Sequence, residues 1–73
     1  MAYICLFKVD KDANIIGPAT DWRGCGWILS EEDLANYKYD KVAEMKRRAI
    51  QIFGPGNVVA KRVSINILGD YVP

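Results

Sequence analysis

One amphipathic segment constrains the fold of this chain more than any other feature. Over residues 40–53, Val42, Met45, Ala49, Ile52 and Phe53 recur at helical spacing, with Ala43 and Ile50 widening the stripe. Glu44, Arg47, Arg48 and Gln51 lie opposite. Asp40 is placed to cap the start, and Gly54-Pro55-Gly56-Asn57 stops the helix with a glycine followed by a proline. Every other long apolar run reads as strand. A chain with one sizeable helix and several strands lays that helix on one face of a sheet. The 73 residues support a single thin core, so 1–73 is read as one domain.

Residues 3–9 (Tyr-Ile-Cys-Leu-Phe-Lys-Val) form the first strand, bounded by the turn-forming Asp-Lys-Asp-Ala-Asn. Tyr3, Cys5, Phe7 and Val9 share one face, and Ile4, Leu6 and Lys8 the other. Both faces are largely apolar, which marks a central strand. Residues 14–17 pair back as a second strand, ended by Pro18. A short extended piece over 27–29 leads into Ser30-Glu-Glu-Asp33, a helix start with Ser30 as N-cap and acids in the first turn. Leu29 and Leu34 are spaced as a hydrophobic staple. The helix pauses near Asn36–Lys38 before the main one begins. Residues 58–68 are the last strand. In it Val63, Ile65 and Ile67 are assigned to a buried face, and Arg62, Ser64 and Asn66 to a wet one. The expected fold is a two-layer α+β domain, β-β-α-β. Its three-stranded antiparallel sheet has order 2-1-3, with one main helix on one face. The other sheet face is left open, covered by the 18–29 segment, or buried against a partner.

Composition removes several functions. The chain has no histidine, hence no imidazole base, ligand or pH switch. Net charge is +1, so no global field draws it to nucleic acid or membrane. The apolar N-terminal run lacks the length and flanks of a signal peptide, and no stretch reaches membrane-span length. Two cysteines, Cys5 and Cys25, without histidine make a zinc site a poor fit and read as free thiols of a reducing cytoplasm. No cofactor is expected. Phosphate-loop, EF-hand and paired-carboxylate motifs are absent from the sequence.

The least ordinary segment is Asp21-Trp22-Arg23-Gly24-Cys25-Gly26-Trp27. Tryptophan and arginine dominate interface hot spots, which nominates Trp22, Arg23 and Trp27 as a protein-binding surface. The competing reading folds the indoles under the loop as core. Cys25 has only Arg23 as a nearby cation, too little for a nucleophile. Charge is split: residues 1–37 carry three basic and six acidic groups (−3), and residues 38–73 carry seven and three (+4). Lys38, Lys41, Lys46, Arg47, Arg48, Lys61 and Arg62 therefore nominate an alternative nucleic-acid surface, with Trp22 or Tyr39 stacking on bases. Against it, Lys41, Arg47 and Arg48 read as the solvated helix face, Lys46 as a stem snorkelling past the apolar stripe, and Tyr37 and Tyr39 as cover for the helix junction.

The expectation is a non-enzymatic cytoplasmic binding module that occupies a partner protein's surface. Chains this short are often accessory regulators or inhibitors, those of phages and mobile elements included. RNA or DNA binding is the alternative, and a homodimer through an open strand edge a third arrangement.

Overall fold

The structure, a computed structural model, describes residues 2–64, 66 and 68–73. The elements run β1 (Ala2–Val9), β2 (Ile15–Pro18), β3 (Ile28–Ser30), α1 (Glu31–Leu34), α2 (Lys41–Phe53) and β4 (Val58–Ser64). All pairing is antiparallel, and β1 is central, as its two apolar faces require. β4 runs along one edge of β1, from Ala2↔Ser64 to Lys8↔Val58. β2 and β3 share the other edge in succession, β2 against Phe7–Val9 and β3 against Tyr3–Cys5. The expected order 2-1-last is therefore present, and the 27–29 piece adds a fourth strand shifted to 28–30.

Leu6 is the junction between β2 and β3. Its carbonyl accepts from Ala19 N–H at 2.9 Å and its N–H donates to the Trp27 carbonyl at 3.0 Å. Between those two bonds the chain leaves the sheet edge and returns as a separate small hairpin.

The helix starts follow the sequence signals. Ser30 Oγ accepts from Asp33 N–H at 3.0 Å, and Asp40 Oδ1 accepts from Ala43 N–H at 3.0 Å. Gly54, at φ +92°, closes α2. The α2 stripe packs on the even-numbered face of β1. The core is Leu6, Ala19, Met45, Ala49 and Val58, flanked by Trp27, Leu29, Ile50, Phe53 and Ala60. Two sequence assignments are corrected. Ile52, placed in the apolar stripe, is 47% exposed, because it lies at the stripe's margin next to Arg48 on the helical wheel. In β4 the core-facing residues are Val58 and Ala60. Strict alternation then turns Val63 to the opposite face, not toward the core. Ile65 and Ile67, assigned to the same face as Val63, lie outside the described residues.

That opposite sheet face carries Tyr3, Cys5, Phe7, Ile28, Val59 and Val63, and neither α1 nor α2 packs on it. The 18–29 segment does not cover it, since Ala19, Trp27 and Leu29 join the α2 side. Among the described residues no helix is long and apolar enough to cross a membrane.

Candidate interaction surface

Two loops of this chain are built alike. In the first, Asp10 N–H donates to the Asn14 carbonyl and Ala13 N–H to the Asp10 carbonyl, both at 3.0 Å. In the second, Asp21 N–H donates to the Cys25 carbonyl at 2.8 Å and Gly24 N–H to the Asp21 carbonyl at 3.0 Å. Each closes three residues with a left-handed residue before the return strand, Ala13 at φ +63° and Gly24 at φ +85°. Each is staked by its aspartate. Asp10 Oδ1 accepts from the N–H groups of Asp12 and Asn14, and Asp21 Oδ1 from those of Arg23 and Cys25, at 2.8–3.0 Å. The Cys25 amide is the main cause that holds the Asp21 carboxyl below its ordinary range.

The first loop joins two strands of the sheet. The second stands off it, supported at its base by Ala19, Trp27 and the Thr20–Gly26 bridge. Its tip presents Trp22, which is 85% exposed. Asp21 Oδ2 holds the Arg23 guanidinium at 3.2 Å, and that guanidinium lies over the Trp22 ring at 5.6 Å. One carboxylate thus fixes the backbone with one oxygen and the arginine with the other, and the arginine steadies the indole. A turn held by its own hydrogen bonds has less freedom to lose on contact with a partner.

Trp27 behaves differently. It is half-buried against the core, and its Nε1 is shielded from solvent with no acceptor among the described residues. The two tryptophans thus differ in burial: Trp27 packs against the core, and Trp22 stands in solvent. Between the hairpin and α2 runs an open groove of about 450 Å3, lined by Asp21, Trp22, Arg23, Trp27, Arg48, Gln51 and Ile52. The sequence reading missed Asp21, Gln51 and Ile52 as parts of this surface. The Asp-x-Arg-Gly-Cys spacing of a staked turn was the available signal for Asp21. Gln51 and Ile52 became visible only once the hairpin was placed beside α2.

The basic residues do not gather into one surface. Arg62 pairs with both carboxylate oxygens of Glu31, tying β4 to α1, and this guanidinium is the main cause lowering the Glu31 carboxyl. Lys41 and Arg48 share Glu44 at 3.1 and 3.3 Å. Lys41 also lies over Tyr37, whose ring meets Tyr39 edge-on at 5.6 Å across the helix junction. Lys38 and Arg47 are exposed and Lys46 is half-buried. Lys61, opposite Cys5, projects from the sheet face away from α2. Cys25 is an exposed free thiol and Cys5 a half-buried one. Among the described residues no group of three or more side chains is arranged to hold a metal ion. Protein-family models, curated proteins and solved structures give no match to this chain.

Proposed function

We propose that this protein is a non-enzymatic binding module whose staked hairpin, with Trp22 and Arg23 at its tip, occupies the surface of a partner protein. The observation that carries the reading is an almost fully exposed indole held in place by its own turn rather than left loose. An exposed tryptophan next to an arginine is the composition of an interface anchor. The mode is steric, that of an accessory regulator or inhibitor, and two free thiols fit a reducing cytoplasm. The nucleic-acid alternative has weaker support, since Arg62 pairs with both oxygens of Glu31 and Lys61 faces away from the helix.

The test is co-purification of the tagged protein from its native cytosol, run in parallel with and without nuclease treatment. A stoichiometric protein partner is expected. It should be lost with Trp22→Ala and kept with the double variant Arg47→Glu, Lys61→Glu. Co-purifying RNA or DNA, lost with that double variant and strongly salt-dependent, would refute the proposal.

A further inference from the structure

Resting on the reading just given, we infer that the groove between the hairpin and α2 receives an acidic segment of the partner protein, one in which a carboxylate lies beside a large apolar side chain. The floor of the groove is apolar: Trp27 below, Trp22 as one wall, and Ile52 with roughly half its surface still unburied. A bound apolar side chain would extend the burial of these three. The charged lining consists of Asp21, Arg23 and Arg48, a formal sum of +1.

The two guanidiniums are only partly engaged. Arg48 makes a single contact with Glu44, a carboxylate already held by Lys41 at shorter distance. Arg23 directs two of its donors to one oxygen of Asp21. Each guanidinium has five N–H donors and a planar fork that matches a carboxylate. Their side chains remain 63% and 62% exposed, so both are open to a second acceptor. A basic segment would meet two like charges at the rim, whereas a carboxylate finds donors on both sides of an apolar floor. A polyphosphate chain is served less well. Asp21 stands in the lining and Glu44 pairs with Arg48, so two carboxylates would lie close to its phosphates.

The probe is a random dodecapeptide library panned against the full chain. Selected peptides are then titrated while the two indole N–H signals are followed by heteronuclear NMR. Selected peptides are expected to carry Asp or Glu beside Phe, Leu or Ile and to shift the signals of both Trp22 and Trp27. Arg48→Gln should weaken them about tenfold, the size of one charge-assisted hydrogen bond. Lysine-for-glutamate peptides, weak on the native chain, should regain binding with Arg48→Glu. Peptides without acids that still shift Trp22, indifferent to Arg48→Gln, would overturn the acidic class while leaving the Trp22 surface standing. Peptides that move neither indole, or a panning that enriches none, would count against both. A short oligo-dT strand that shifts the indoles as strongly at physiological salt would overturn the choice of a protein segment.

Discussion

Trp22 and Trp27 lie on one hairpin, yet their substitution by alanine has to be felt in different places. Trp22 is 85% exposed, so only the remaining 15% is withdrawn from water. For a side chain that buries at most roughly 250 Å2, that is about 40 Å2, or about 1 kcal/mol. The stacked Arg23 is worth about 0.5–1 kcal/mol at such a site, and part of that is the same contact. Trp22→Ala is therefore expected to cost no more than about 1–1.5 kcal/mol. Trp27→Ala opens a hole against the core cluster of Leu6, Ala19, Met45, Ala49 and Val58. Full burial of such a ring would put the loss at about 3–5 kcal/mol, and half-burial brings it to about 2–3 kcal/mol. Removal of the unpartnered Nε1 offsets a fraction of that. With a urea m-value of about 1 kcal/mol per M for a chain this size, the unfolding midpoint falls by about 1 M for Trp22→Ala and by about 2–3 M for Trp27→Ala. Far-UV circular dichroism reads both without relying on the removed fluorophore. Equal losses would mean that Trp22 is packed, and the argument for a presented surface would fail.

Three further outcomes follow from the same geometry. Ala13 occupies the left-handed position that Gly24 fills in the sister loop. The strain of about 1–2 kcal/mol there outweighs the roughly 0.4–1 kcal/mol of extra unfolded-state entropy that glycine brings. Ala13→Gly should thus raise Tm, and a lower Tm would refute the strain. Cys25 is exposed, while burial pushes the Cys5 thiol up. At neutral pH one thiol should react fast with a maleimide and disappear with Cys25→Ser; two equally fast thiols would contradict the placement of Cys5. The carboxyls of Asp10, Asp21, Glu31 and Glu44 are held low, chiefly by the Asn14 amide, the Cys25 amide, the Arg62 guanidinium and the Lys41 ammonium respectively. Folded values below unfolded ones mean a stabilisation present above about pH 4 and lost as pH falls through the folded values. Tm should stay flat from neutrality to about pH 5 and fall below about pH 4. With no histidine in the chain, a step near pH 6–7 would contradict this assignment.

The fold was legible because its strongest signals are local. Ser30 and Asp40 cap helices through their own side chains, Gly54 stops α2, and the two-sided apolar pattern of residues 3–9 demands a central strand. What the chain does between residues 18 and 28 was not legible in detail. There the outcome depends on where Leu6 offers its backbone groups and on which side of the sheet Trp27 falls, both long-range facts. The margin of the α2 stripe was ambiguous for the same reason. Ile52 reads as core on a helical wheel, and only the placing of the hairpin beside α2 makes it part of the groove. In β4, alternation alone could not say which face α2 takes, so Val63 was turned the wrong way. The basic residues looked collected in sequence because charge was summed along the chain. In space, Glu31 draws off Arg62, Glu44 holds Lys41, and the pleat sends Lys61 to the far face.

The central claim is that the tip of the hairpin is where a protein partner sits. A photo-crosslinking residue placed at Cys25, exposed on the same turn as Trp22, with a control at Asp12 on the sister loop, tests it in the native cell after nuclease digestion of the extract. The account predicts one discrete protein adduct from position 25, resistant to nuclease and lost when Trp22→Ala is added, and none from position 12. Equal adducts from both loops, or a position-25 adduct that nuclease removes, would contradict it.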